Sequence, residues 1–231
     1  MTDSHCFTSA LSGVTDTRAS DSASSPDARL HRESRTWLTP FIDAISGAGM
    51  GVLDLGCGRH GTDASFLADN GFTVFACDRV PPQATGTAVH AFVSDIAEPL
   101  PVRTGTIDTA LASLSSHYFS WDTTISIYEE IHRVLRPGGA LLLRVNADDD
   151  VNYGAGIGEE IEPGYFHSKG EFGMTCKRFF TEDAVRTLLN GLFDISHLRH
   201  CSIDRYETPK QIWECLAGRR QSERPRFHVH C

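Results

Sequence analysis

Several features are scarce or absent in this sequence of 231 residues, and each absence argues against a class of protein. No apolar run is long enough to span a lipid bilayer. The first ten residues have acidic and polar groups in place of a basic segment and an apolar run, so we expect no secretory signal. Basic residues are also few: 21 Lys and Arg against 30 Asp and Glu give a formal net charge of −9. This balance argues against non-specific binding to nucleic acid or to an anionic membrane.

Paired cysteines are missing as well. The seven cysteines are scattered and odd in number, and no two of them form a Cys-x-x-Cys pair. Without paired ligands we expect no zinc site. We interpret the His and Cys residues at positions 228–231 as part of a frayed tail, although they could bind a metal ion. Scattered thiols are typical of a reducing compartment, so we predict a cytoplasmic protein without a metal site.

The length fits a single α/β domain with additions. Residues 1–26 are rich in Ser, Thr, Asp and Ala, which predicts a disordered segment. Residues 27–218 are predicted to form one Rossmann-like domain with a helical N-terminal cap, and residues 219–231 a flexible tail. Within the cap, Pro40 interrupts a helical pattern and predicts two short helices or a kink. We interpret Trp37 as a core residue, although it could reach the cofactor site.

Apolar segments alternate with helical patterns from residue 51 onward, and this alternation predicts a parallel, doubly wound sheet. Two further strands follow the last helix, so the predicted fold is α/β with a mostly parallel Rossmann-like sheet and a terminal antiparallel strand. The expected strands are 51–55, 72–77, 91–93, 108–114, 140–145, 193–205 and 212–217. The expected helices are 62–70, 121–135 and 182–190, the last capped by Thr181. Residues 148–178 contain many glycines without clear periodicity and are predicted to form a lid loop.

A glycine-rich stretch marks the predicted ligand site. Residues 51–61 read Gly-Val-Leu-Asp-Leu-Gly-Cys-Gly-Arg-His-Gly, an apolar strand followed by a tight turn and a helix. Glycines let the backbone turn sharply and pass close to a ligand, and the N–H groups that open the helix can bind a negative group. We therefore expect a cofactor at this turn.

Two classes of cofactor are compatible with the turn. The spacing of Gly56, Gly58 and Gly61 matches the dinucleotide fingerprint, and Asp78 follows the next strand, where a partner for a ribose hydroxyl is expected. Asp54 favours a different cofactor. A carboxylate inside this strand would repel a pyrophosphate, but it suits a cationic ammonium or sulfonium group.

The segment Val-Leu-Asp-Leu-Gly-Cys-Gly at residues 52–58 resembles the first motif of class I S-adenosylmethionine-dependent methyltransferases. The resemblance extends over about residues 50–217 in the family's order, with acids after the second and third strands and Leu-Arg-Pro-Gly-Gly before the fifth. It implies S-adenosylmethionine as the cofactor. The positions that it implies around the cofactor are Asp54, Gly56, Cys57, Gly58, Asp78, Arg79, Asp95, Ile96, Ser113 and Leu114.

The resemblance also implies roles within this set. Asp54 would lie near the amino group of the cofactor, and the two turn glycines near its methionine part. Asp78 would accept hydrogen bonds from both ribose hydroxyls, since one carboxylate can accept two. Asp95 would accept a hydrogen bond from the adenine amino group, and Ile96 would cover one face of the adenine ring. The end of the fourth strand would lie under the sulfonium group of the cofactor.

The acceptor side is predicted from four residues. Residues 115–119 follow the fourth strand, and in this fold that loop faces the transferable methyl group. His117 is a candidate general base because the usual pKa of histidine lies near working pH; a structural histidine that orients the loop is an equal alternative. Tyr118, Asn146 and Tyr153 could line the acceptor pocket. Aromatic faces such as Tyr118 and Tyr153 also suit a sulfonium.

The predicted function is S-adenosylmethionine-dependent methyl transfer to a small-molecule acceptor by in-line displacement. Asn-Pro-Pro-Tyr, the signature of amide and base N-methylation, is absent. Several segments, among them residues 115–119, 150–154 and 178–180, are similar to a small bacterial subgroup near the tellurite and thiopurine methyltransferases. The alternatives are a reaction in which S-adenosylmethionine is the only substrate, releasing methylthioadenosine, a non-catalytic sensor, and an NAD oxidoreductase. We expect no nucleic-acid or membrane partner, and no oligomeric state is indicated.

Overall fold

A computed structural model describes residues 26–83, 86–170, 173–204 and 206–221. The segment predicted to be disordered lies outside these residues except for Pro26, and so does the predicted tail beyond Gln221. Within the described part of the chain, no helix is long and apolar enough to cross a membrane.

The described elements are five α-helices and ten strands, joined in part by short 3-10 turns. The helices are α1 (Pro26–Leu38), α2 (Ile42–Ala48), α3 (Thr62–Asp69), α4 (Trp121–Val134) and α5 (Glu182–Leu189). The strands are β1 (Gly51–Leu55), β2 (Thr73–Asp78), β3 (Val89–Val93), β4 (Ile107–Ser113), β5 (Leu135–Asn146), β6 (Glu159–Glu162), β7 (Tyr165–Gly170), β8 (Gly173–Arg178), β9 (Phe193–Ile203) and β10 (Lys210–Arg219).

Seven strands form the main sheet, in the order β3-β2-β1-β4-β5-β10-β9. The first five strands of this order are parallel, and β10 pairs antiparallel with both β5 and β9. The predicted doubly wound, mostly parallel fold is therefore confirmed. The chain order reverses between β1 and β4, which is the switch point where such sheets bind ligands.

Apolar side chains cover both faces of the sheet. On one face, α1, α2 and α3 pack over a cluster that includes Trp37, Leu67 and Leu142. On the other face, α4 and α5 pack over a cluster that includes Tyr128 and Leu143. Alternate residues of β5 point to opposite faces, which is why its neighbours Leu142 and Leu143 belong to different clusters. Burial on both faces explains why this strand is almost continuously apolar.

The N-terminal helical region is interrupted at Pro40, as the sequence predicted. The 3-10 turn Thr39–Phe41 has Pro40 in its first positions and separates α1 from α2. Trp37 is buried in the core, as we interpreted it. The predicted cap of α5 is also confirmed, since the Thr181 hydroxyl accepts a hydrogen bond from the Ala184 N–H at 3.1 Å.

Three elements differ from the predicted ones. The helix before β5 ends at Val134, because Leu135 has extended backbone angles (φ −66°, ψ 139°) and pairs with Ile107. Strand β5 therefore includes residues 135–139, which we had assigned to a helix end and a turn. Strand β10 continues to Arg219, the first residue of the predicted tail, because Arg219 pairs with Phe193 of β9.

The third difference concerns the predicted lid loop. Most of its second half folds into a separate antiparallel sheet, β6-β7-β8. The glycines there obscure the strand pattern. The Tyr165 hydroxyl donates to the Tyr118 carbonyl at 3.0 Å, and Arg178 forms an ion pair with Glu162. The Tyr165 contact attaches the small sheet to the chain that follows β4, and the ion pair joins β8 to β6 within the sheet.

Candidate functional site

A cleft of about 270 Å³ lies at the carboxyl ends of β1, β2, β3 and β4. All ten residues predicted to surround the cofactor line it, together with Tyr118 from the predicted acceptor side. Five more lining residues were not in the predicted set: Asp63, Ser94, Ser115, Phe119 and Tyr206.

The glycine turn after β1 is held by backbone hydrogen bonds to the neighbouring strand. The N–H groups of Gly56 and Cys57 both donate to the Cys77 carbonyl, at 2.8 and 3.0 Å. Gly56 has φ +69°, and a Cβ built there would overlap the Cβ of Ser115. Only glycine fits this position without strain, so the first glycine of the motif is required by the opposite wall of the cleft.

Carboxylates stand at the ends of β2 and β3. Asp78 accepts from the Gly58 N–H at 3.0 Å and from the Val80 N–H at 3.1 Å, one bond to each oxygen. Asp95 accepts from the Ala97 N–H at 3.0 Å, and its other oxygen lies 4.0 Å from the Arg79 guanidinium. Backbone donors thus fix both carboxylates along the wall of the cleft.

The floor of the cleft is acidic and shielded from solvent. Asp54 is 2% exposed inside β1. Burial, followed by the charges of Asp54 and Asp78, raises the pKa of the Cys57 thiol far above its usual value. Burial also raises the pKa of Cys77 to about 12. Both thiols are therefore protonated at neutral pH, so neither is a nucleophile here.

The end of β4 forms the opposite wall. Leu114 has φ +55°, a left-handed backbone that residues with a Cβ rarely adopt. Its N–H donates to the Arg144 carbonyl at 2.8 Å, which holds the turn against β5. Strained backbone of this kind is concentrated at ligand sites.

Of the four predicted acceptor-side residues, only Tyr118 lines the cleft. Tyr118 lines the cleft and is 45% exposed. His117 is 3% exposed and does not line the cleft. Burial, followed by the charges of Lys210 and Lys177, lowers its pKa well below the usual value. The imidazole is neutral and enclosed, so this structure favours the structural interpretation of His117.

Asn146 and Tyr153 also lie outside the cleft lining. Asn146 is fully buried, and its amide donates to the Arg178 carbonyl at 3.3 Å. Tyr153 donates from its hydroxyl to the Thr208 carbonyl at 2.7 Å. Its ring lies 5.4 Å from that of Tyr206, which does line the cleft. Tyr153 therefore packs against a residue of the cleft lining, whereas Asn146 joins β5 to β8.

Asp63 and Tyr206, two lining residues that were not predicted, differ in how strongly the local sequence indicates a site. Asp63 lies in the first turn of α3, directly after the glycine motif, where an acid is common for helix stability alone. Tyr206 lies in the connection between β9 and β10, far along the chain from the other lining residues. No local pattern marks it, because only the antiparallel return of β10 beside β5 brings this connection to the cleft.

Among the residues that the structure describes, no group of three or more His, Cys, Asp or Glu side chains is placed to hold a metal ion.

Comparison with known proteins adds a family match. Residues 53–143 match the family model described as a methyltransferase domain. An uncharacterized methyltransferase of Synechocystis sp. is 34% identical over 116 residues, which cover 48% of this chain and 54% of that protein. The chain thus matches about half the length of this curated relative. The family match includes Gly56 and Gly58 of the turn and the carboxylates Asp78 and Asp95 at the ends of β2 and β3.

Solved structures with this fold are numerous. A methyltransferase structure from Methanosarcina mazei has a TM-score of 0.61 at 21% identity, over 73% of this chain and 91% of that one. The 1,6-didemethyltoxoflavin-N1-methyltransferase of Burkholderia thailandensis was solved with S-adenosylhomocysteine. It has a TM-score of 0.60 at 19% identity, and the match covers 90% of this chain and 94% of that one. The magnesium protoporphyrin IX methyltransferase of Synechocystis was also solved with S-adenosylhomocysteine. It has a TM-score of 0.58 at 16% identity, and the match covers 89% of this chain and 90% of that one. At these identities the likeness concerns the fold, which is that of class I methyltransferases.

Proposed function

We propose that this chain binds S-adenosylmethionine in the cleft and transfers its methyl group to a small-molecule acceptor. One observation carries the proposal: all ten residues predicted for this cofactor, from four strand ends, line a single cleft. The methyltransferase-domain match covers the same part of the chain, residues 53–143, and agrees with this interpretation.

The chemistry of the lining fits this cofactor better than a dinucleotide. The cleft presents four carboxylates, Asp54, Asp63, Asp78 and Asp95, and one guanidinium, Arg79, which lies near Asp95. A pyrophosphate would be repelled by this excess of negative charge. A ligand with ribose hydroxyls, an amino-substituted base and a cationic end offers donors and positive charge to the same carboxylates. We assign Asp78 to the ribose, Asp95 and Ile96 to the base, and Asp54 to the cationic end.

The protein's contribution to the reaction is alignment and exclusion of water. S-adenosylmethionine supplies a methyl carbon that a positive sulfur already activates toward in-line displacement. The turn at Leu114 and the side chains of Tyr118 and Phe119 would orient the acceptor at the cleft wall. Holding two reactants in line removes much of the entropic barrier to a bimolecular step. We assign contact with the acceptor to Tyr118 and a structural role to His117, Asn146 and Tyr153.

The small sheet β6-β7-β8 is the proposed lid. Arg178 donates to the Pro163 carbonyl at 3.0 Å, and Glu162 accepts from the Trp121 N–H at 2.8 Å. The first of these bonds lies within the sheet, and the second ties the sheet to the start of α4. The Tyr165 contact to Tyr118 couples the sheet to a residue that lines the cleft. A lid attached in this way would exclude water from the reacting groups.

The cellular compartment, the enzyme subgroup and the class of partner are proposed from less direct observations. The five cysteines in the described part of the chain are all free, in agreement with a reducing, cytoplasmic compartment. Proximity to the tellurite and thiopurine methyltransferases remains a proposal that rests on short segments of sequence. The net charge of −9 favours small-molecule partners over nucleic acid.

Product analysis tests the proposed reaction. The purified protein is incubated with S-adenosylmethionine, first alone and then with pools of thiols, chalcogen oxyanions and heteroaromatic compounds. The last pool includes 1,6-didemethyltoxoflavin, which the Burkholderia protein binds. We expect the cofactor to stay intact alone and S-adenosylhomocysteine to form with an acceptor. Accumulation of methylthioadenosine without any acceptor would mean that S-adenosylmethionine is itself the substrate.

A further inference from the structure

Asp63 is a buried carboxylate that joins α3 to the N-terminal helix and also lines the cleft. It lies in the first turn of α3, is 6% exposed and lines the cleft. Acidic side chains are almost never buried to this extent unless they are paired. Asp54, 2% exposed, lines the same cleft from β1.

The contacts of Asp63 come from the N-terminal helix. Its Oδ1 atom accepts a hydrogen bond from the Ser34 hydroxyl and another, at 3.2 Å, from the Trp37 indole N–H. Both donors are neutral. Among the residues that the structure describes, Asp63 forms no ion pair, and Oδ2 receives no hydrogen bond.

Arg144, a buried cation that interacts electrostatically with Asp63, forms its hydrogen bonds with other groups. Arg144 is fully buried in β5, and its guanidinium forms two bonds to the Glu33 carboxylate of α1. Its third donor, Nε, binds the Ser113 hydroxyl at 3.1 Å. The guanidinium also stacks on the Trp37 ring at 4.0 Å. This arrangement fixes the ring whose N–H reaches Asp63.

We propose that Asp63 is a second carboxylate for the ammonium group at the amino-acid end of the cofactor, that it acts together with Asp54, and that Ser34 and Trp37 position it. This inference rests on the proposed function. A buried carboxylate with only neutral donors gains a charged partner when an ammonium group enters the cleft, and hydrogen bonds to charged groups are the stronger ones. Helix α1 then does more than cover the sheet, because two of its side chains orient a ligand-binding group.

Binding measurements with two ligands test the proposal without any turnover. S-adenosylhomocysteine has the amino-acid end, and methylthioadenosine lacks it. For Asp63→Asn we expect the Kd for S-adenosylhomocysteine to rise about tenfold or more, and the Kd for methylthioadenosine to stay within about twofold. The matched control is Asp69→Asn, an exposed acid in the same helix, which should change neither Kd.

Ser34→Ala provides a second test that leaves Asp63 in place, in case Asp63→Asn does not fold. It removes one donor to Oδ1, and we expect a several-fold weaker Kd for S-adenosylhomocysteine with methylthioadenosine unaffected. Equal weakening of both ligands, or no weakening of either, would overturn the role of Asp63. If the unaltered protein binds neither ligand, the proposed function itself fails, which is a separate result.

Discussion

Gly56 is the cleft residue at which we expect a substitution to be most disruptive. We predict that Gly56→Ala lowers the free energy of unfolding by about 2–5 kcal/mol. The left-handed backbone costs a residue with a Cβ about 1–2 kcal/mol, and forced contacts in a packed site add about 1–3 kcal/mol. Here the added Cβ would overlap Ser115. Urea denaturation measures the change.

Gly58 provides the matched control for that prediction. Its φ of +70° is almost the same, but a Cβ built there meets no atom within 4 Å. Gly58→Ala should therefore cost only the backbone contribution, about 1–2 kcal/mol. Equal losses for the two variants would show that overlap with Ser115 has no part in the effect.

His117 gives the stability a pH dependence of known sign. Its pKa is lowered in the folded protein, so below the ordinary value of 6.5 the unfolded chain binds a proton that the folded protein does not. The free energy of unfolding should fall by about 1.4 kcal/mol per pH unit as pH drops below 6.5, until the folded pKa is reached, and this contribution should be constant above 6.5.

Urea denaturation between about pH 5 and pH 8 measures this dependence in the unaltered protein and in His117→Asn. The variant should lose the additional slope below pH 6.5. His31, on the exposed side of α1, is replaced by Asn as the control. If the slope is the same with and without His117, the imidazole is not held neutral by burial.

The residues predicted for the cofactor all line the cleft, whereas most of those predicted for the acceptor do not, and the difference has a physical reason. Residues such as Asp78 and Asp95 stand directly at predicted strand ends, and parallel strands bring those ends to one edge. Their position follows from local pattern alone. His117 and Tyr153 lie in irregular connections, where the direction of a side chain depends on packing by distant segments. Burial of His117 beside Lys177 and Lys210 has no counterpart in the local sequence.

At the scale of elements, α1 is anchored by a charge pair rather than by apolar contact alone. Arg144 is fully buried, and the side chain of Glu33 is 10% exposed. Removing one partner of a buried pair leaves an uncompensated charge, which costs about 3–5 kcal/mol. We therefore predict a loss of about that size in the free energy of unfolding for Glu33→Gln, measured by urea denaturation.

An exposed pair on another helix is the control. Glu182 and Arg186 lie four residues apart in α5, with both side chains about half exposed. Breaking this pair with Glu182→Gln should cost less than about 1 kcal/mol, because solvent screens surface pairs. A loss for Glu33→Gln no larger than that for Glu182→Gln would contradict the anchoring role of the buried pair.

Some of the secondary-structure elements could be predicted from the sequence, and others could not. The break at Pro40 and the cap at Thr181 follow from the chemistry of single residues, and both predictions are confirmed. The sheet β6-β7-β8 was missed because its strands are short and rich in charged residues and glycine. The start of β5 was missed because Arg136-Pro137-Gly138-Gly139 is typical of a turn, whereas pairing with β4 draws it into the sheet with a register shift.

At the scale of the whole molecule, the strand order explains why one cleft collects residues from distant parts of the sequence. Strands β1 and β4 are neighbours although α3, β2 and β3 lie between them in the chain. The glycine turn and the Leu114 turn therefore face each other. Strand alternation predicted this arrangement. It did not predict that the connection after β9 would bring Tyr206 to the same cleft.

The central claim is that the cleft binds S-adenosylmethionine or its product, and not a dinucleotide. A calorimetric titration of the full chain with S-adenosylhomocysteine, and a parallel titration with NAD, tests it most directly. We predict saturable binding of one S-adenosylhomocysteine per chain and no binding of NAD, because the carboxylates of the cleft repel a pyrophosphate. Binding of NAD without binding of S-adenosylhomocysteine would contradict the account.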